Sequence, residues 1–308
     1  MKSKSLRFKI VDILYILIAL LPIIAGIVLN VLTKPASEGI TITGARIFFT
    51  IPMPIQDLTI TEAQINSWLV VISILGICLY MAHGVQVRAE TKRQLLAEWV
   101  VEKTQAMVEE SMGPFFRGYA PFIASIIILS ALSSLITLFG LYPPTSDVNV
   151  VAGWAILVFI LITYYKLKGG FLNYLKSFTQ PIFIMTPLNI LGEIATPVSM
   201  AFRHYGNVLS GSVIAVLIAT ALQGLSSLLL GWLPGFLGEI PFFQIGLPAV
   251  LSLYFDIFSG CMQAYIFAML TMLNISGGFS QDDYEKRQAK KLAKKQAKQT
   301  VKTVKTVK

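Results

Sequence analysis

Charge is scarce in this sequence. Only 13% of its 308 residues are charged and 55% are hydrophobic, whereas soluble domains carry about 25% charged residues. Two cysteines, Cys78 and Cys261, and two histidines, His83 and His204, are too few for a disulfide framework or a Cys/His metal site. The sequence also lacks the G-x-x-x-x-G-K-[ST] loop that cradles nucleotide phosphates. These absences favour a polytopic membrane protein with no metal, cofactor or phosphoryl chemistry of its own.

Positive charge is concentrated at the C-terminal end. The formal net charge is +9, and residues 281–308 contain 10 of the 25 lysines and arginines. A basic run beside a membrane segment is typical of a cytoplasmic tail that lies against anionic lipid. No nucleic-acid recognition motif accompanies the charge, so we expect lipid rather than nucleic acid as the partner of this tail.

Apolar segments alternate with polar connections along the first part of the chain. A helix needs about 20 apolar residues to cross a bilayer, and four candidates precede residue 180, at 10–32, 66–83, 119–141 and 148–165. Residues 1–33 are interpreted as a retained anchor helix, because the apolar run exceeds the roughly 7–15 residues of a signal peptide. The other three spans lie within residues 34–180.

Residues 84–118 differ from these spans because they carry many charges of both signs. Apolar side chains recur there at helical spacing, which predicts an amphipathic helix; they are Leu96, Trp99, Val100 and Met107. Two interpretations stay open at this point. The helix lies at the membrane interface, or it only covers other helices.

A long hydrophobic region occupies residues 181–280. A break rich in glycine and proline, Trp232–Pro241, divides it into two halves. The second half would be about 50 Å long as a helix at about 1.5 Å per residue, which is more than a perpendicular span requires. We therefore expect the two halves to form a long tilted helix hairpin.

The distribution of lysine and arginine predicts the orientation. The N-terminus, the C-terminal tail and the connections 84–118 and 166–180 are basic, whereas the connections 34–64, 142–147 and 233–241 are not. Six spans with both termini in the cytoplasm satisfy this alternation. The sequence thus predicts an all-α polytopic membrane protein with about six membrane helices, the last two forming the long tilted hairpin, plus an amphipathic interfacial helix.

One arginine, Arg203, lies deep within the long hydrophobic region. The nearest charges along the chain are Glu193, ten residues before it, and Glu239, thirty-six residues after it. A charge at bilayer depth is costly and marks a functional site by default. The residues four and seven positions later share its helix face, and they are the polar residues Asn207 and Ser210. A lipid-facing stripe would carry Leu and Ile instead.

Further polar groups accompany the arginine. On an antiparallel second helix Gln263 could hydrogen-bond Arg203, or it could simply join the two helices. Asp256 and Glu193 are expected in hydrated cavities, because unpaired carboxylates in hydrocarbon would neutralise. The alternative for Arg203 is snorkelling to an interface, with Glu193 as a structural pair. Two prolines precede three candidate caps for the next helix, Thr145, Ser146 and Asp147, and Asp147 is interpreted as a helix cap.

These features indicate an ion path. A fixed positive charge between two offset polar cavities prevents an ion from passing straight through, so the ion must transfer to a mobile carboxylate. The chain offers no mobile carboxylate facing Arg203, so the partner should be another protein. A secondary transporter would show inverted repeats, which the sequence lacks, and a structural scaffold would not need Arg203.

The chain resembles subunit a of F-type ATP synthases over roughly residues 61–277. The resemblance is carried by P-V-S-M-A-F-R-H-Y-G-N-V-L-S-G at 197–211, M-Q-A-Y-I-F-A-M-L-T at 262–271 and P-P-T-S-D-V-N-V at 143–150. There are two departures from the family pattern. His204 follows the arginine where the family usually has Leu, and Ser212 stands where a titratable residue is frequent.

The resemblance implies a non-catalytic membrane subunit that passes ions to the rotating c-ring. Protons are the expected ion and Na⁺ is the alternative. Arg203 would face the ring carboxylates, Asp256 would serve the outer half-channel and Glu193 the cytoplasmic one. The predicted ion path consists of Asn207, Gln263, Asp256, Glu193 and Ser210. The implied partners are the c-ring, the peripheral-stalk subunit b and the remaining subunits, in the plasma (inner) membrane of a bacterium.

Overall fold

Helices make up almost all of the described chain. A computed structural model describes residues 2–33, 44–54, 57–87, 91–179, 182–232 and 253–277, with positions 243, 246, 250–251, 279, 285 and 289. The described part is helical apart from one small hairpin, which confirms the predicted all-α class. Most of the predicted break at Trp232–Pro241 and of the predicted basic tail lies outside the described residues.

Eight α-helices follow one another in the described chain. They are α1 (Lys2–Thr33), α2 (Glu62–Ala82), α3 (Lys92–Met112), α4 (Ala120–Leu135), α5 (Val148–Gly169), α6 (Phe171–Phe178), α7 (Thr186–Leu230) and α8 (Gly260–Gly277). Short 3₁₀ turns flank α4 at Pro114–Tyr119 and Ile136–Phe139, and others precede α5 at Pro144–Ser146 and α7 at Phe183–Met185. A π-helical turn, Leu253–Ser259, leads directly into α8.

Six helical segments of the described chain are long and apolar enough to cross a membrane, as predicted. They are Phe8–Thr33, Glu62–Ala82, Pro114–Phe139, Val148–Lys168, Phe183–Leu230 and Leu253–Gly277. The predicted connection 166–180 is wrong in detail, because α5 continues to Gly169 and α6 follows at once. Lysines in the last turn of a helix favour its continuation, and Gly170, with φ of 134°, ends α5 where other residues would be strained.

A short β-hairpin was not predicted. Strands β1 (Ile47–Ile51) and β2 (Leu58–Thr61) pair antiparallel within the connection expected at 34–64. Both strands are rich in β-branched and aromatic residues, which fit a pleated surface. The hairpin is the one departure from all-α structure among the described residues, and it leads straight into α2.

The hairpin is fastened to the first two helices by Arg46. Its Nε lies 2.8 Å from Oε2 of Glu62 and its Nη2 lies 3.1 Å from Oε1 of the same carboxylate. Nη2 also donates to Oδ1 of Asn30 at 2.5 Å, and Nη1 donates to Oγ1 of Thr33 at 3.3 Å. The hydrogen bond to Glu62 raises the pKa of the Arg46 guanidinium above its usual range. Arg46 thus joins α1, the hairpin and α2.

The predicted amphipathic segment contains α3, whose two halves differ. Near its C-terminal end, Val108 and Met112 are buried in the main hydrophobic core against α4 and α8. Towards its N-terminal end, Leu96 and Trp99 are exposed. The C-terminal half therefore covers other helices, while the N-terminal half keeps an open apolar surface that the interface interpretation requires.

Helix α7 and the segment ending in α8 run antiparallel. Residue numbers fall on one segment as they rise on the other, in the contacts Ser226–Phe243, Gly211–Phe255, Asn207–Ser259, His204–Phe267 and Met200–Asn274. The 45 residues of α7 form a helix about 68 Å long, at about 1.5 Å per residue. Since a hydrocarbon core is about 30 Å thick, α7 must tilt strongly or project from the membrane.

Candidate functional site

Arg203 is exposed on α7, inside the membrane-spanning segment. Its guanidinium forms no hydrogen bond or ion pair with any residue that the structure describes. Residues on the same side, such as Phe202 and Ser210, are exposed as well. The chain therefore presents a permanent positive charge on the outer surface of an apolar helix, with no internal partner in the described part.

Glu193 lies about three turns before Arg203 and has a different partner. Lys166 of α5 donates from Nζ to its Oε1 at 2.8 Å, and the hydroxyl of Tyr174 donates to the same oxygen at 3.4 Å. Burial, followed by the negative charge of Glu193, raises the pKa of Tyr174 above its usual range. The interpretation of Glu193 as the structural pair of Arg203 is therefore wrong, and sequence reasoning missed Lys166 because it placed that residue in a loop.

Asn207 joins α7 to the π-helical turn. Its Nδ2 donates to Oγ of Ser259 at 2.7 Å, and that hydroxyl donates back to Oδ1 of Asn207 at 3.0 Å. One turn further along α7, Gly211 packs against Phe255, where an added Cβ would lie 3.1 Å from the ring. The small residues of the predicted polar face thus let the two segments approach closely.

Asp256 and Ser210 lie at one level of the hairpin. Asp256 is half-buried in the π-helical turn, between Phe255, which meets Gly211, and Ser259, which meets Asn207. This register sets Asp256 level with Ser210, about 10 Å along α7 from Arg203 at about 1.5 Å per residue. Ser210 is exposed and donates only to the carbonyl of Asn207, at 3.1 Å, among the described residues. Single π-helical turns occur often at functional sites.

Gln263 is buried on α8, with 5% of its surface exposed. The same register places it near the level of Arg203, as the sequence predicted. The predicted hydrogen bond between the two side chains is not formed, and Gln263 has no other side-chain hydrogen bond within the described residues. Its role in the ion path, like the roles of the other predicted path residues, stays a prediction.

Asp147 caps α5, as predicted. Its Oδ1 accepts from the backbone N–H of Asn149 at 2.9 Å. Its Oδ2 also accepts from the hydroxyl of Thr61 at 3.1 Å, which ties the start of α5 to the end of the hairpin. These two hydrogen bonds give the Asp147 carboxylate a structural role.

His204, which the sequence marked only as a departure from the family pattern, is a buried neighbour of Arg203. The side chain is fully buried and contacts Ser130 of α4, Trp154 of α5 and Phe267 of α8. One sequence signal pointed there. Neighbouring residues on a helix project about 100° apart, so an outward Arg203 directs His204 towards the interior.

The fold and the site define a polytopic membrane protein with an exposed arginine on a membrane helix, and this arginine has no partner among the described residues. Comparison with known proteins agrees with this class. The sequence profile of the family described as ATP synthase A chain matches residues 64–276. The chain therefore belongs to the ATP synthase A chain family.

Individual relatives cover most of the chain. The chain is 29% identical to "ATP synthase subunit a 2" of Bradyrhizobium sp. over 228 residues, which is 73% of this chain and 92% of that protein. It is 28% identical to "ATP synthase subunit a 1" of Crocosphaera subtropica over 229 residues, covering 73% and 90%. It is 24% identical to "ATP synthase subunit a, sodium ion specific" of Propionigenium modestum over 275 residues, covering 79% and 88%.

Membership of this family establishes the class of the protein and its setting. The chain is a multi-pass membrane subunit, and it associates with other subunits of an ATP synthase. The predicted resemblance is confirmed. The alternatives of a secondary transporter and a structural scaffold are set aside.

Proposed function

We propose that this subunit translocates protons between two offset half-channels and the c-ring of a rotary F-type ATP synthase, with Arg203 facing the ring carboxylates. A guanidinium stays charged at all working pH values. An opposite charge within about 4–6 Å favours the ionised form of a carboxylate, and a like charge repels a passing cation. Arg203 would thus release the ion from each arriving ring site and block a direct leak.

The observation that carries this proposal is the exposed position of Arg203 within a helix long and apolar enough to cross a membrane. An arginine with no partner inside the described chain is costly in lipid. Its charge becomes favourable when another protein brings a carboxylate to it. The proposed partner is the ring, and the proposed assembly also includes the peripheral-stalk subunit b.

The two half-channels are proposed on opposite sides of Arg203 along α7. The outer half-channel would use Asn207 and Ser210, which follow Arg203 on α7, and Asp256, which lies level with Ser210. Gln263 lies near the level of the arginine. Glu193 lies towards the N-terminal end and would serve the cytoplasmic half-channel, held by Lys166. With Ser212 in place of a titratable side chain, the outer path depends on Asp256, Asn207 and water. We also propose that both termini lie in the cytoplasm, which the distribution of lysine and arginine supports, and that the subunit resides in the plasma membrane of a bacterium.

Na⁺ is the second candidate ion. The relative from Propionigenium modestum is named as sodium ion specific, and the ion path of this chain is lined by groups that also suit a hydrated cation. Measuring ATP hydrolysis by the whole enzyme with and without Na⁺, at constant ionic strength, separates the two. Stimulation of ATP hydrolysis by Na⁺ would identify Na⁺, and not H⁺, as the coupling ion.

Replacing the arginine tests the proposed function. In membrane vesicles that carry the whole enzyme, Arg203→Ala should abolish the ATP-driven membrane potential while the complex still assembles. The potential reports any coupling ion, so the test does not depend on the choice of H⁺ or Na⁺. Arg46→Ala is the matched control, because the partners of Arg46 lie within the chain. The enzyme that carries this change should keep pumping. Retained pumping by Arg203→Ala would contradict the proposal.

A further inference from the structure

His204 occupies a closed site on the inner side of α7. Its Nε2 lies 3.3 Å from Oγ of Ser130 on α4, and the rings of Trp154 and Phe267 stand edge-on to it, at centroid distances of 5.8 and 5.7 Å. None of its surface is exposed. Three other helices therefore hold the residue that directly follows Arg203.

Ser130 provides the one polar anchor of this imidazole in the described structure. Nδ1 of His204 is buried and has no hydrogen-bond partner among the described residues. A buried polar group without a partner is destabilising, so the bond at Nε2 is the directional interaction that keeps the ring in this orientation. The rings of Trp154 and Phe267, whose centroids lie 6.4 Å apart, pack edge-on against the imidazole and limit its movement.

Apart from Asn207, which bonds to Ser259 of the π-helical turn, the side of α7 around His204 has few groups that fix its direction. Met200 and Ala201 are its other buried side chains on the preceding turn, and Gly211 lies two turns later without a side chain. Methionine is flexible and adapts to irregular gaps, and alanine packs without directional bonds. Within the described residues, the His204–Ser130 bond therefore resists rotation of α7 against α4, while the Asn207–Ser259 bonds hold α7 to the π-helical turn.

Rotation of α7 changes the direction of Arg203. Adjacent residues on an α-helix project about 100° apart, so holding His204 inside turns Arg203 to the exposed surface. We propose that His204 is a positioning residue whose hydrogen bond to Ser130 sets the rotation of α7 and thereby aims the Arg203 guanidinium at the partner subunit. This inference rests on the proposed function of Arg203.

The test uses the whole ATP synthase in membrane vesicles, with two measurements on each variant. The first is the ATP-driven membrane potential relative to the rate of ATP hydrolysis, and the second is passive ion leak through the membrane sector. If Arg203 points in the wrong direction, coupling between ATP hydrolysis and pumping should weaken, and the passive ion leak should rise in the same variant. For His204→Leu we expect coupling to fall about tenfold, the effect of losing one buried hydrogen bond, and the leak to rise.

Two conservative variants separate positioning from simple packing. The amide of Gln reaches as far as Nε2 of histidine, whereas the amide of Asn reaches only as far as Nδ1. His204→Gln should therefore restore coupling to within about twofold of the native enzyme by renewing the buried hydrogen bond, and His204→Asn should not. Equal behaviour of the Gln and Asn variants would overturn the inference.

Ser130→Ala provides the partner variant and removes only a hydroxyl group. It should lose coupling to the same degree as His204→Leu, and the double variant should lose no more than either single variant, because both remove one shared bond. If the enzyme with His204→Leu does not assemble, the enzyme with Ser130→Ala provides the test of the positioning role. Native coupling and native leak in an assembled Ser130→Ala enzyme contradict the positioning role.

Failure of this inference is distinguishable from failure of the proposed function. Arg203→Ala tests the arginine itself. If Arg203→Ala abolishes pumping and Ser130→Ala leaves coupling intact, only the positioning role of His204 is wrong. If Arg203→Ala pumps normally, the proposed function is wrong, and the inference falls with it.

Discussion

Arg46 and Arg203 have opposite surroundings. Arg46 binds both oxygens of Glu62 and also donates to Asn30 and Thr33, so its charge is fully used inside the chain. Arg203 is exposed within a membrane-spanning helix and has no partner in the described residues. Arginine is equally suited to both roles, because its planar guanidinium recognises carboxylates in a fixed geometry.

The difference between the surroundings of the two arginines separates a structural role from a functional one. A side chain whose partners all lie within the chain should affect stability when it is replaced. A side chain that lacks internal partners should affect only what the assembled enzyme does. The same division applies to the residues around Arg203, where Gly260 is packed inside and Ser210 is exposed.

The largest expected effect on stability is that of Arg46→Ala. The change leaves the nearly buried carboxylate of Glu62 without its partner, and losing hydrogen bonds to a charged group costs about 2–3 kcal/mol. Thermal unfolding of the detergent-solubilised enzyme should therefore begin at a lower temperature. Arg203→Ala should change the free energy of unfolding by less than about 0.5 kcal/mol, as expected for an exposed site. A larger loss of stability in Arg203→Ala than in Arg46→Ala would contradict the structural role of Arg46.

An intermediate effect is expected for Gly260→Ala. An added Cβ would lie 2.6 Å from Cβ of Ser134 on α4, so the helices must separate, and such overpacking costs about 1–2 kcal/mol. Gly211→Ala is the matched variant, because its nearest neighbour is the Phe255 ring at 3.1 Å and a side chain can shift. Comparing thermal unfolding of the two variants checks the prediction, and equal destabilisation would contradict it.

The smallest effect on stability is expected for Ser210→Ala. The hydroxyl is exposed and bonds only to the backbone of its own helix among the described residues, so the free energy of unfolding should change by less than about 0.5 kcal/mol. Ion pumping should be measured on the same preparation, so that an effect on transport is separated from an effect on stability. A reduced pumping rate at unchanged stability assigns Ser210 to the ion path, and a native rate removes it from the path.

The sequence predicted the membrane class, the six spans and the prominence of Arg203, because hydropathy and an isolated charge are local properties. It also predicted the cap at Asp147 from a turn followed by a helix. Pairings between distant helices could not be predicted in this way. The Lys166–Glu193 ion pair and the Asn207–Ser259 bonds depend on helix rotation and register, which packing determines.

The missed hairpin has a different cause. Residues 47–61 are short, and two strands gain stability only from what they pack on or bond to. In this fold the support comes from Arg46, which bonds to residues in α1 and α2. A single sequence does not show that these three elements meet.

A structure of the assembled enzyme tests the central claim most directly. The measurement is the distance from the Arg203 guanidinium to the nearest carboxylate of the ring, taken by electron cryomicroscopy in several rotational states. We expect a carboxylate within about 6 Å of the guanidinium in at least one state, the range over which such a charge acts strongly. An arginine that meets only lipid, or only residues of its own chain, in every state would contradict it.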